Sequence, residues 1–237
     1  MKSVTIQQPE KLVIEERAIP QPLPGEVRIR VTCAGICGSD VHIYRGHNPF
    51  ARYPRVIGHE FFGHIDAVGE GIEKTRIGER VVGDPVVSCG HCYPCAVGRP
   101  NVCAELQVIG VHRDGGFSEY ITLPAQNAHV VPDSIPDNEA TMVEPFTIAA
   151  NICSQMKPCT LDTVLIYGAG PMGLTSIQAL RGVYGVKEIV VADRIDERLS
   201  MAKANGADWV INNAKSDLKN ELDALGIRPT LIIDAAC

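Results

Sequence analysis

Apolar and polar residues alternate strictly along Glu26-Val27-Arg28-Ile29-Arg30-Val31, which puts Val27, Ile29 and Val31 on one side of an extended chain. A strand with one buried face is the expected result. A second short β-type run covers residues 78–83 between turn signals, and Gly and Pro recur through the first part of the chain, up to about residue 150. The pattern predicts a mainly antiparallel β domain there. Beyond residue 160 the texture changes to an apolar run at Thr163–Tyr167, a glycine-rich turn at 168–173, a helix through Ala179 and a second apolar run at Glu188–Asp193. That order is a βαβ unit with a parallel sheet. A further helix at 196–205 and strands at 209–211 and 230–234 bring the expected parallel strands to four, where a doubly wound sheet usually has about six. The sequence-based expectation is therefore a truncated sheet whose last strand is an unprotected edge or needs a partner. No internal repeat or low-complexity segment interrupts either part.

Charge narrows the partners. With 22 basic and 28 acidic residues the formal net charge is −6, so neither phosphate backbones nor anionic membranes attract the chain as a whole. No nucleic acid and no membrane partner is expected. The start, Met1 to Gln8, lacks the apolar core of a signal peptide, which points to a cytoplasmic location. The uncharged stretch 163–180 approaches a membrane span in length, but Gly168, Gly170, Pro171 and Gly173 break it as a turn does.

Nine cysteines are many for such a chain, and Cys89, Cys92, Cys95 and Cys103 crowd into one short segment with the pattern C-x2-C-x2-C-x7-C. Four thiolates in one small loop suit a closed, tetrahedral, structural zinc. An iron–sulfur cluster also takes four thiolates. Here, however, seven residues separate the third cysteine from the fourth instead of three, and no proline follows it. His91 lies inside the loop and is not needed as a ligand.

A second group of metal-type donors is spread more widely. Residues 35–42 contain Cys37, Ser39, Asp40 and His42, residues 58–63 contain His59 and Glu60, and Glu144 precedes Pro145 at the start of an expected helix. A thiolate, an imidazole and a carboxylate, with a fourth position left to water or substrate, make a catalytic zinc site. Taken singly, Cys37 reads as a small buried apolar group and Glu144 as a charge favoured at a helix start. His59, Glu60 and His64 miss the H-E-x-x-H spacing of zinc proteases, and Gly58 and Gly63 oppose a helix there.

Gly168-Ala169-Gly170-Pro171-Met172-Gly173 lies between a buried strand and a helix, the context in which a Gly-rich turn holds a pyrophosphate at a helix N-terminus. Asp193 ends the next strand, where a carboxylate binds a ribose 2′-hydroxyl and repels a 2′-phosphate. NAD is expected over NADP, with Arg194 and Arg198 as neighbouring cations.

With these motifs the chain resembles the zinc-containing medium-chain alcohol dehydrogenases. Gly58-His59-Glu60-Phe61-Phe62-Gly63, followed by Gly69 and Ile72, is similar to that family's zinc signature, and Gly35-Ile36-Cys37-Gly38-Ser39-Asp40 to its first ligand segment. The resemblance implies an α/β plus β architecture: a GroES-like catalytic domain over 1–155 with two zinc sites, then a Rossmann NAD-binding domain over 156–237 whose C-terminal part is missing. It implies Cys37, His59 and Glu144 as catalytic zinc ligands, with Glu60 as a carboxylate able to enter the shell. Glutamate at 144 is similar to the sorbitol, xylitol and threonine dehydrogenase branch, and segments 44–50 and 111–117 resemble bacterial sugar-acid and starvation-sensing members.

The activity so implied is NAD-linked oxidation of a secondary alcohol in a polyol or sugar acid by a homo-oligomer, dimer or tetramer, when full length. Cofactors are two zinc ions per chain, one catalytic and one structural, and NAD. Ser39 and His42 resemble the family's proton relay, and Asp40 is expected to orient His59. Two other readings remain: a zinc-stabilised nucleotide-binding regulator without turnover, or an inactive fragment.

Overall fold

The computed structural model describes residues 1–236. It divides into two compact units, Met1–Glu144 and the part from Pro145 onward. The first is antiparallel β structure. Strands β1 (Lys2–Gln8), β2 (Lys11–Glu16) and, after β3 (Glu26–Gly35) and helix α1 (Gly38–Tyr44), strand β4 (Arg55–Val56) form a sheet in the order β2-β1-β4. Strands β5 (Glu60–Val68) and β6 (Arg80–Gly83) join β3 in a larger sheet. After β7 (Val86–Val87), α2 (Tyr93–Ala96) and β8 (Gln107–Val108), β9 (Tyr120–Pro124) and β10 (Ala128–Val130) complete it in the order β10-β6-β5-β3-β9. The short β7 and β8 pair with each other at the base of the cysteine loop.

The alternation along β3 holds. Val27 and Ile29 are fully buried beside Phe61, Ile65, Val81, Ile121 and Leu123, whereas Arg30 is exposed. Burial of each such Ile or Leu contributes about 1.5–3 kcal/mol. Two register shifts in the pairing with β5, at Arg28/Ile29 and at Val31/Cys33, bend the strand end that leads into Cys37. The second expected strand is shorter than its sequence run, because Gly78 has φ +96 and turns the chain before β6 begins at Arg80. Glu60 and His64 lie on β5, so the H-E-x-x-x-H sequence is strand and not helix.

Helices α3 (Asp137–Ala140) and α4 (Val143–Met156) follow, and Glu144 stands in the first turn of α4. The second unit is parallel: β11 (Thr163–Tyr167), α5 (Pro171–Gly182), β12 (Glu188–Asp193), α6 (Asp196–Ala204), β13 (Trp209–Asn212), α7 (Leu218–Leu225) and β14 (Leu231–Asp234). The strand order is β13-β12-β11-β14, half of a Rossmann sheet, with the chain reversing direction of growth at β11. Ile189, Val190, Val191 and Ala192 of β12 are all fully buried, as an interior strand covered on both faces must be. Among the described residues β14 is an edge, and Ile232 on it is 65% exposed. The apolar stretch 163–180 is thus a strand, a turn and part of a helix, and no described helix is long and apolar enough to cross a membrane.

Candidate metal and cofactor sites

The cysteine loop brings its four sulfurs together. Sγ of Cys89, Cys92, Cys95 and Cys103 all lie within 4.8 Å of one another. The Cys92 sulfur is 3.5 Å from that of Cys95 and 3.8 Å from that of Cys103. A tetrahedron with metal–sulfur bonds of 2.3 Å has edges of about 3.8 Å, so the spacing fits zinc and is far too long for disulfides. Backbone N–H groups already point at the sulfurs: those of Cys89 and Glu105 donate to Cys103 at 3.3 Å, and that of Cys92 donates to Cys89 at 3.4 Å. N–H donation from Ala104 and Cys95 lowers the Cys92 thiol to about 6, toward the thiolate form that binds metal. Desolvation and the neighbouring Cys92 sulfur push Cys95 up to about 12. Protons are shared unequally among the four, and a divalent cation would displace those that remain.

The second group is assembled from separate elements. Cys37 sits at the mouth of α1 after the bent end of β3, and His59 lies just before β5, whose first residue is Glu60. Their ligand atoms lie within 4.8 Å of one another. Gly58 has φ +95, and a Cβ there would strike the Phe117 ring, so only glycine allows the turn that delivers His59. Asp40, 2% exposed, ties the two segments: one oxygen accepts from Cys37 N–H at 2.9 Å, the other from Gly58 N–H at 3.2 Å, and the latter stands 3.6 Å from His59 Nδ1.

The electrostatics of this group are those of a site built for a cation. The hydrogen bond to His59 lowers the Cys37 thiol, and Ser39 adds a further bond. Burial opposes charge on His59, but its bonds to Asp40 and Cys37 prevail and raise it to about 10. Burial raises the carboxyls of Glu60 and Glu144. Glu144 feels His59, Glu60, Asp84 and Asp40, yet it falls outside the tight three-atom group, where Glu60 stands instead. A thiol and three carboxyls thus share one imidazole, a donor set that fits a divalent cation. Ser39 is half-buried beside Cys37, whereas His42, on the same helix, is exposed with its ring 6.1 Å from that of His47.

In the second unit the three glycines of the turn have three different surroundings. Gly168 has φ +108, Gly173 packs so closely that a Cβ would strike the Gly168 carbonyl oxygen, and a Cβ on Gly170 would meet nothing within 4 Å. The last is the space through which a pyrophosphate approaches the backbone. No described side chain caps the α5 N-terminus at Gly170, with Pro171 and Met172 opening the helix, so the N–H groups of its first turn remain available to an anion. Asp193 accepts from Ala169 N–H at 2.7 Å and from Ile195 N–H at 2.9 Å. Burial works against its charge, but these donors, the N–H of Arg194 and the Arg198 cation hold the carboxyl below its ordinary value. Arg194 itself is exposed.

An antiparallel β unit with thiolate-rich metal clusters, followed by a parallel sheet with a glycine-rich first turn, defines the class of two-part zinc-binding dehydrogenases. Residues 23–133 match the alcohol dehydrogenase GroES-like domain and residues 171–237 the zinc-binding dehydrogenase model. The chain is 65% identical over 237 residues to the starvation-sensing protein RspB of Escherichia coli K12, covering all of this chain and 70% of that protein. It is 41% identical over 194 residues to L-galactonate-5-dehydrogenase of the same organism, covering 81% of this chain and 56% of that one. The crystal structure of an alcohol dehydrogenase from Escherichia coli CFT073 complexed with NADH superimposes with a TM-score of 0.94 at 64% identity, covering 100% of this chain and 69% of that one. The chain belongs to the zinc-type medium-chain alcohol dehydrogenase family.

Three features of the sites escaped sequence reasoning. Asp40 bonds to two backbone N–H groups as well as facing His59, Asp193 locks the glycine turn, and His91 lies 3.4 Å from Glu105. The first had a signal, since Asp40 stands three residues after Cys37 at the helix start.

Proposed function

We propose that this chain carries the catalytic zinc, structural zinc and NAD sites of a dehydrogenase that oxidises a secondary alcohol of a sugar acid. The observation that carries the proposal is the convergence of Cys37, His59 and Glu60 within 4.8 Å, with the Glu144 carboxyl under their electrostatic influence. Cys37, His59 and Glu144 would hold the catalytic ion, Glu60 would exchange into its shell, and Cys89, Cys92, Cys95 and Cys103 would hold the structural one. When bound, zinc supplies Lewis acidity toward the alcohol and NAD supplies the hydride acceptor. Asp40 fixes the Cys37 and Gly58 backbone and thereby the approach of both ligands. Ser39 would accept the alcohol proton at its Oγ as its own hydroxyl proton passes on, by way of His42 exposed on the same helix, to solvent. Gly168, Gly170 and Gly173 admit the pyrophosphate, while ionised Asp193 accepts from ribose and repels a 2′-phosphate.

Charge favours the acid over the neutral polyol. Between Asp40 and Glu60 the chain has Arg45, Arg52 and Arg55, with His42, His47 and His59, and no Asp or Glu. Arg55 pairs with Asp114, but Arg45, Arg52, His42 and His47 are exposed on and just beyond α1. A run of cations on and just beyond the helix that carries Ser39 suits a substrate carboxylate. L-Galactonate, named as the substrate of the 41% identical relative, is such an acid. A binding role without turnover is disfavoured, because a regulator has no need of donors gathered at an open metal position. The described thiols are all free, which suits a reducing cytoplasm.

The test is NADH formation by the whole protein across polyols, sugar acids and amino-alcohols, with Glu144→Gln assayed beside the wild type. Turnover confined to sugar acids, and loss of both zinc and turnover in the variant, is expected. A variant with zinc and turnover intact contradicts the ligand assignment, and preference for neutral polyols contradicts the charge argument.

A further inference from the structure

A third donor group adjoins the cysteine cluster. The Cys89 sulfur, the His91 imidazole and the Glu105 carboxylate lie within 4.8 Å of one another, and Cys89 belongs to the four-thiolate group as well. The two groups differ in access. Side chains of His91 and Glu105 are 73% and 66% exposed, while Cys103, the innermost of the four cysteines, is 8% exposed.

His91 is already oriented as a ligand. Its Nδ1 lies 3.0 Å from the Cys89 carbonyl oxygen, which can only accept, so Nδ1 is the donor there and Nε2 is the nitrogen left for a metal. A ring nitrogen fixed by donation to a backbone carbonyl is the arrangement found behind metal-bound imidazoles. Nε2 points at Glu105, with 3.4 Å between it and the carboxylate oxygen. His91 lies on the first arm of the loop, between Cys89 and Cys92, and Glu105 lies just past Cys103 on the last arm. An ion held by both would span the loop's two ends.

We propose that Cys89, His91 and Glu105 form an entry site through which zinc reaches, and is exchanged from, the four-cysteine cluster. This rests on the reading of that cluster as a zinc site. A hydrated ion cannot shed its water at once to four partly enclosed thiolates, but it can land on two exposed hard and borderline donors that share one sulfur with the final site. As bonds to Cys92, Cys95 and Cys103 form, those to His91 and Glu105 break, the thiol protons leave to solvent and Cys89 stays bound throughout.

Exchange kinetics test this on the zinc-loaded protein. Cadmium, which thiolates prefer to zinc, is added in excess, and thiolate–cadmium absorbance is followed in a Cys37→Ser background so that the four-cysteine cluster dominates the signal. His91→Ala and Glu105→Gln should each slow exchange by about 10-fold, the scale on which metal-site partners act, with the end-point unchanged. Glu105→Gln preserves shape at an exposed position, so its result stands even if His91→Ala disturbs the loop. Wild-type exchange rates in both variants would overturn the proposal, and so would a lowered end-point, which would make the two residues permanent ligands. Absence of any thiolate–cadmium signal in the parent would instead overturn the four-cysteine reading on which the proposal rests.

Discussion

The two metal-type clusters of the β unit solve the same coordination problem in opposite ways. In the lobe around α2 every donor comes from one loop, all four are sulfurs and backbone N–H groups point at them, but almost no apolar core surrounds them. Around Cys37 and His59 the donors come from a bent strand end, a glycine turn and the start of β5, and Asp40 fixes the first two by hydrogen bonds of its own. On the proposed reading the first cluster would need its ion in order to fold, whereas the second would be shaped by the fold and left open for chemistry. A protein can therefore lose one ion and unravel locally, or lose the other and keep its shape.

The strongest way to break this contrast is to remove one ligand from each cluster. Cys95→Ser should forfeit most of a binding energy on the order of 10 kcal/mol that is also the lobe's folding energy, and limited proteolysis should then cut within residues 89–105. Cys37→Ser should leave the proteolytic pattern unchanged. Equal sensitivity in both variants would mean that both sites are structural.

A similar division holds inside the glycine turn. Gly173→Ala drives a methyl group into the Gly168 carbonyl and should cost about 3 kcal/mol in urea unfolding. Gly170→Ala meets open space at an ordinary φ of −75, so stability should stay within about 0.5 kcal/mol while NADH binding by fluorescence weakens about 10-fold. Unchanged NADH affinity in Gly170→Ala would remove the turn from the cofactor site.

The smallest effect concerns pH in the zinc-free protein. His59 is raised from 6.5 to about 10, so its contribution to stability is complete below 6.5 and is lost as pH rises through 10. Cys37 is lowered from 9.0, so its contribution is complete above 9.0 and is lost as pH falls through its depressed value. Urea midpoints of chelated protein should therefore decline between about pH 6.5 and 10, most clearly above 9.0, where Cys37 no longer offsets the loss. His59→Asn should flatten that decline.

How much of each site was legible in the sequence follows from the same contrast. Cys89 to Cys103 is a local pattern, and the distances between its sulfurs reproduce what the spacing implied. The strands and helices of the parallel unit were equally plain, because buried runs such as Ile189 to Ala192 and the turn at Gly168 carry their own punctuation. Cys37, His59 and Glu144 are scattered over more than a hundred positions, and only resemblance to a family linked them. Even so, Glu60 and not Glu144 joins the tight group. Pairings made by tertiary contact alone, such as Asp40 with Gly58 or Asp193 with Ala169, leave no periodic trace.

The most direct test of the central claim is zinc content per chain, by mass spectrometry, in the wild type, Cys37→Ser and Cys95→Ser. Two independent sites, one closed and one open, require about two ions in the wild type and about one in each variant. A wild type with a single ion, or a Cys37→Ser variant that keeps both, would contradict the account.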